Sequence, residues 1–158
     1  MADVHSPAIR RKNMQAIRSK NTYPEKRVRK LLHRLGFRFR LHDKNLPSKP
    51  DIVLAKYKAV ILIHGCFWHG HDCHLFKLPK TRTEFWRKKI DSNFLRDQKQ
   101  IQMLGALGYR VMVVWECALR GRNKLTESQL ERVLTDWLIE GKSSSMLDGN
   151  TFLKEESQ

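Results

Sequence analysis

Cysteine is scarce in this sequence: 158 residues contain three, Cys66, Cys73 and Cys117. Three thiols cannot all pair, so no disulfide framework organises the fold, and a reducing compartment is expected. Long apolar runs are missing as well. No window approaches about 18 uninterrupted apolar residues, which excludes a membrane-spanning segment on sequence grounds. The first residues, MADVHSPAIRRKNMQ, lack an apolar core and a cleavage site, so secretion is not expected. Acids are few: 16 Asp and Glu face 31 Lys and Arg, a net charge of +15. Apolar residues nevertheless make up 41% of the chain, which excludes a disordered polyelectrolyte. The length suits one basic domain with a real core.

The charge is uneven. Residues 1–50 hold 14 basic and 3 acidic side chains, a net of +11, whereas residues 101–158 hold 7 and 8. A polyanion binder concentrates charge where phosphates lie. A membrane surface is the rival, but residues 1–20 lack a broad apolar face. RNA binding also fits the charge alone, so this signal favours nucleic acid over other polyanions without choosing its type.

The elements follow from local patterns. Residues 1–21 form a basic arm in which Met14 and Ile17 are the clear apolar pair at helical spacing. Thr22-Tyr23-Pro24-Glu25 predicts a helix start, with Thr22 as cap and Pro24 in the first turn. Val28, Leu31, Leu32 and Leu35 give its apolar stripe and Gly36 its end. Phe37 to Leu41 alternates as a half-buried strand, and Asp51 to Leu54 resumes as strand after a loop with two prolines. Ala59 to His64 is apolar on both faces, as a covered central strand should be. After a Gly/Cys/His/aromatic loop, Thr81-Arg82-Thr83-Glu84 predicts a capping box for a long helix ending near Gly108. Tyr109 to Trp115 is another buried strand, and Thr126-Glu127-Ser128-Gln129 opens a last helix to about Glu140. The order α-β-β-β-α-β-α, without internal repeat, describes a mixed sheet flanked by helices. The domain occupies residues 22–141, followed by a loose polar tail, 142–158.

The loop after the third strand is rich in metal ligands: His64, Cys66, His69, His71, Cys73 and His74. Cys66 follows one buried strand and Cys117 follows the next. Adjacent parallel strands would bring both thiols to one sheet edge, where Cys66, Cys73, Cys117 and one histidine could close a tetrahedral zinc site. The alternative is three unrelated thiols beside a His-rich surface loop. Spacing favours His71 over His74 without deciding between them.

Acids also fall on apolar stripes. Ile90, Phe94, Asp97, Ile101 and Leu104 share one face of the long helix, so Asp97 faces inward and needs a partner. Glu25 lies in line with Val28, Leu32 and Leu35; it either looks inward or serves the capping box. Asp51 begins the second strand and His64 ends the third, which on a hairpin places them at one edge. A lone Pro-Asp reads as a loop end. Beside a histidine, such a carboxylate can instead hold a divalent cation against a phosphate while the histidine takes a proton from water. Asp51, Asp97, Glu25, His64 and His69 are the available set.

Four segments carry a resemblance. Met1-Ala2-Asp3-Val4-His5-Ser6-Pro7, His64-Gly65-Cys66-Phe67-Trp68-His69, Thr81-Arg82-Thr83-Glu84-Phe85-Trp86 and Val114-Trp115-Glu116-Cys117-Ala118-Leu119-Arg120-Gly121 resemble the very-short-patch-repair DNA mismatch endonucleases, over about residues 1–140. The resemblance implies the restriction-endonuclease-like (PD-(D/E)xK superfamily) α/β fold. It also implies strand-specific, magnesium-dependent nicking of double-stranded DNA 5′ to the mispaired T of a T:G mismatch left by 5-methylcytosine deamination. Asp51 would bind magnesium with the Ile63 backbone carbonyl. His69 would be the general base, with His64, Glu25 and Asp97 orienting water, histidine or metal-bound waters. The superfamily's usual carboxylate-x-Lys after the third strand is absent, replaced by the Ile63-His64 pair.

By the same resemblance, Cys66, His71, Cys73 and Cys117 would be ligands of a structural zinc. Phe67, Trp68 and Trp86 would wedge beside the mismatch, while Trp115, at the end of a valine-rich strand, reads as ordinary core. The basic arm, with Met14, Ile17, Arg10, Arg11 and Lys12, would grip DNA from the minor-groove side. A monomeric, cytoplasmic, nucleoid-associated bacterial protein with a MutL-type repair partner is the corresponding expectation. The rivals are a nuclease of the same superfamily that cuts matched DNA, and a noncatalytic zinc-bearing DNA-binding module.

Overall fold

The computed structural model describes residues 21–141 and 143–150. The basic arm, including Met14, Ile17, Arg10, Arg11 and Lys12, lies outside them. The order is α1 (Tyr23–Arg34), β1 (Arg40–Leu41), β2 (Ile52–Leu54), β3 (Ala59–His64), α2 (Thr83–Ala106), β4 (Arg110–Trp115), α3 (Glu116–Leu119), α4 (Glu127–Glu140) and β5 (Ser145–Leu147). The strands form one mixed sheet in the order β1-β2-β3-β4-β5. β1, β2 and β3 are antiparallel neighbours, whereas β4 runs parallel to β3 and β5 parallel to β4. The α2 crossover makes the β3–β4 pairing possible, since parallel strands cannot be joined by a tight turn.

Alternation along the strands divides the core in two. Ile52, Ala59, Ile61, Met112, Val114 and Leu147 face α1 and α4, meeting Val28, Leu31, Leu32, Leu130, Leu134 and Trp137. Val53, Val60, Leu62, Val111, Val113 and Trp115 face the other way, toward Leu104 of α2 and the thiols Cys66 and Cys117. The sheet is thus covered on both faces, which explains why β3 and β4 read as unbroken apolar runs. The C-terminal ends of β3, β4 and β5 share one edge, and the functional groups gather there.

The helix starts behave differently from one another. The Thr22 hydroxyl accepts the Glu25 N–H at 3.5 Å, and Thr126 and Gln129 form a complete capping box. The box expected over Thr81–Glu84 is absent. Arg82 precedes the helix in left-handed backbone (φ 55°) without a side-chain cap, and the Thr83 hydroxyl donates to the Pro79 and Lys80 carbonyls instead.

The strand expected from Phe37 shrinks to Arg40–Leu41. Gly36 turns with φ 88°, the Phe37 N–H closes the helix end on the Leu32 carbonyl (3.0 Å), and the Phe37 ring packs edge-on against Tyr57. Phe37 therefore belongs to the α1 terminus rather than to a ladder. On α2 the buried polar face carries Asn93, not Phe94, which is 50% exposed. Residues 145–147, inside the segment expected to be a tail, form β5, and Leu147 is buried in the core.

Candidate active site and thiol cluster

Asp51 ends the loop before β2. Its Oδ2 accepts the Ile63 N–H at 2.7 Å, so the hairpin holds the carboxylate against the end of β3. Burial pushes the Asp51 pKa up to about 7; the Ile63 N–H opposes this and the nearby Glu25 charge adds to it. Glu25 is buried at 3% exposure, and its Oε2 accepts from Arg29 (2.7 Å) and from the Asn21 N–H (2.9 Å). The inward alternative for Glu25 is the one observed, since its side chain serves Asn21 rather than the Thr22 backbone.

His42 completes this cluster, and sequence reasoning missed it. Its Nε2 is 3.3 Å from Glu25 Oε2 and 4.0 Å from Asp51 Oδ1. Left-handed backbone at φ 48°, costly for a side-chain-bearing residue, sets the ring there. Glu25, His42 and Asp51 each offer a ligand atom within 4.8 Å of the others.

His64, His69 and Asp97 make a second cluster of the same kind. Asp97, on α2, hydrogen-bonds His69 Nδ1 as its inward position requires. The His64 and His69 rings stack at 4.0 Å and 3°. Burial, followed by the facing His69, lowers the His64 pKa to about 3, so His64 is neutral near pH 7. With Nδ1 engaged by Asp97, His69 keeps Nε2 for a proton; a carboxylate behind Nδ1 fixes the tautomer and stabilises the imidazolium that would form. The five expected residues thus fall into two clusters, Glu25 with Asp51 and His64 with His69 and Asp97.

α2 also pins the aromatic loop. Asn93 donates to the Trp68 carbonyl at 2.9 Å and is itself held by Arg96. Phe67, Trp68 and Trp86 come together edge to face, with centroids 5.2–5.8 Å apart. Gly70 (φ 66°) lets the loop turn beneath them, where a Cβ would lie 2.8 Å from Ile90.

Cys66, His71, Cys73 and Cys117 converge, every ligand atom within 4.8 Å of the rest. His71 Nδ1 is 3.6 Å from Cys117 Sγ, while His74 stands outside the cluster with both ring nitrogens buried and unpartnered among the described residues. The hydrogen bond between Cys66 and Cys117 raises the first thiol and lowers the second, and burial raises Cys73. Such a crowded, partly buried set of thiol and imidazole donors fits a tetrahedral zinc-type ion. Trp115 is buried, as expected of core. It is also the wall between the clusters, stacked on His71 (4.3 Å) and edge-on to His64 (5.2 Å).

The sequence has relatives among DNA-cutting enzymes. Residues 2–75 match the family described as DNA mismatch endonuclease Vsr. The DNA mismatch endonuclease Vsr of Escherichia coli (strain K12) is 51% identical over 148 residues, covering 94% of this chain and 95% of that protein. The type II nicking enzyme V.XorIIP of Xanthomonas oryzae pv. oryzae is 52% identical over 134 residues, 85% of this chain and 98% of its own length. The type II nicking enzyme V.NmeAIP of Neisseria meningitidis is 45% identical over 136 residues, covering 86% and 96%. The chain belongs to the Vsr family of DNA mismatch endonucleases. No helix among the described residues is long and apolar enough to cross a membrane.

Proposed function

We propose that this protein is a magnesium-dependent, strand-specific endonuclease that nicks 5′ to the mispaired T of a T:G mismatch arising from 5-methylcytosine deamination, initiating very short patch repair. The observation that carries the reading is the Asp97–His69 pair, stacked on neutral His64 at the sheet edge where β3 ends. A histidine held through Nδ1 is built to accept a proton at Nε2, which is what hydrolysis of a phosphodiester by water demands.

Asp51 has the chemistry of a hard-cation ligand. A largely buried carboxylate held beside Glu25, its pKa raised chiefly by burial, gains from a divalent ion. Magnesium would be held by Asp51 with the Ile63 carbonyl, and would supply positive charge against the developing phosphorane. His69 Nε2 takes the proton from the attacking water, Asp97 stabilises the resulting imidazolium, and His64 orients the imidazole from its stacked face. Glu25 fixes the position of Asp51's neighbours through Arg29 and His42. The products would carry 3′-hydroxyl and 5′-phosphate ends.

Zinc fits Cys66, His71, Cys73 and Cys117, where it would tie the loop after β3 to α3. Phe67, Trp68 and Trp86 wedge beside the mismatch, whose weakened stacking lowers the cost of insertion. The basic arm, with Arg10, Arg11, Lys12, Met14 and Ile17, embraces the DNA from the other groove. In a bacterial cytoplasm the protein acts as a monomer on nucleoid DNA, with a MutL-type protein as its partner. Asp51→Asn and His69→Gln proteins should bind a T:G duplex but lose magnesium-dependent nicking. Nicking retained by both variants would overturn the assignment of the site.

A further inference from the structure

The thiol cluster receives two contacts from a segment beyond the last helix. β5 runs parallel to β4 with Val114 opposite Leu147, so the residues after Leu147 emerge at the same edge as Cys117. The Asp148 carboxylate lies 3.1 Å from His71 Nε2, on the side of the ring opposite the nitrogen that faces Cys117. The Asn150 N–H donates to Asp148 Oδ1 at 3.0 Å and turns Oδ2 toward the histidine. The Gly149 N–H donates to Cys117 Sγ at 3.3 Å. Only glycine fits there, because a Cβ would stand 2.6 Å from the Cys117 carbonyl oxygen and 2.9 Å from that of Asn123.

Taking the zinc reading above as its basis, we infer that Asp148 is a positioning residue of the metal site and that β5 docks as its outer wall. Asp148 keeps the His71 proton on Nε2, which leaves the Nδ1 lone pair for the metal. A carboxylate behind a ligating imidazole does this wherever the ring must keep one tautomer and one orientation. Trp115, stacked on the same ring, fixes its plane. The Gly149 N–H points at Cys117 Sγ and holds that sulfur in place beside His71. Leu147, buried in the core, anchors both contacts. By linkage, metal binding and docking of residues 145–150 stabilise one another.

The test titrates the full-length protein with zinc against a chromogenic chelator and records the ligand-field bands of the cobalt(II)-substituted form. Asp148→Ala should weaken zinc by about 10–100-fold and shift the cobalt bands. Asp148→Asn, whose amide oxygen still accepts a hydrogen bond, should lose less. Asp72→Asn removes the same charge from an exposed neighbour of the ligands and should change neither. In the wild type, chelation should speed hydrogen exchange at residues 145–150. Asp148 variants that bind zinc like the wild type, or an equal loss in Asp72→Asn, would overturn the inference and leave the metal site standing. A wild type that takes up no zinc would overturn both.

Discussion

His69 is defined by what its two nitrogens can do. Nδ1 is committed to Asp97, which leaves Nε2 for the proposed proton transfer. Asp97→Asn can reverse the tautomer by offering an N–H where a carboxylate stood, and His69→Gln removes the proposed base. The His69 substitution should slow single-turnover nicking by about 10²- to 10⁴-fold with little change in duplex affinity; a parallel loss of binding would assign His69 to the DNA contact instead. His64 gives a separate pH prediction. Its pKa falls from 6.5 to about 3, because burial and the stacked His69 both disfavour its charge. The unfolded chain takes up a proton at His64 below about pH 6.5 that the folded chain refuses, so folded-state stability drops as pH falls through that window. The slope is roughly 1 kcal/mol per pH unit. Urea midpoints of His64→Asn should therefore fall less steeply between pH 6.5 and 4.5 than those of the wild type, and parallel curves would refute the neutral assignment.

At the scale of elements, β5 carries the clearest prediction. Leu147 is 2% exposed and packs with Leu130, Leu134 and Trp137. Leu147→Ala should cost about 2–5 kcal/mol in denaturant unfolding, whereas a residue in a loose tail would cost almost nothing. β5 was not legible in the sequence because Ser145-Met146-Leu147 is too short for alternation to register, and its ladder partner is more than thirty residues away. The buried runs of β3 and β4 were legible, and with them the meeting of Cys66 and Cys117, since parallel strands end at one edge. Asp97 was legible from helical period; Asn93 was not, because hydrophobicity drew the stripe to Phe94, one residue out of phase. His42 had no pattern at all. It is a single histidine in a polar loop, and a left-handed backbone set by tertiary packing brings it to Glu25 and Asp51.

The whole molecule is a basic body with a net charge of +15, most of it in residues 1–50. Phosphate binding releases counterions, so added salt should weaken matched and mismatched duplex binding alike. Neutralising Arg10, Arg11 and Lys12 together should flatten the log–log salt dependence by roughly 0.9 for each phosphate that the variant no longer neutralises. An unchanged slope would place the footprint elsewhere. On the proposed reading, charge gathers the protein onto DNA, and selectivity would come from the aromatic cluster and the histidine site that α2 holds beside it. The decisive comparison is single-turnover nicking, with magnesium, of three duplexes that differ at one pair: T:G, T:A and C:G. A few kcal/mol saved by insertion at an unstable pair corresponds to about 100-fold or more in rate. The T:G duplex should be cut at one position, 5′ to the mispaired T, faster than either matched duplex by that margin. Equal rates on T:A or C:G, or cleavage of the G-bearing strand, would refute mismatch-directed nicking by this site.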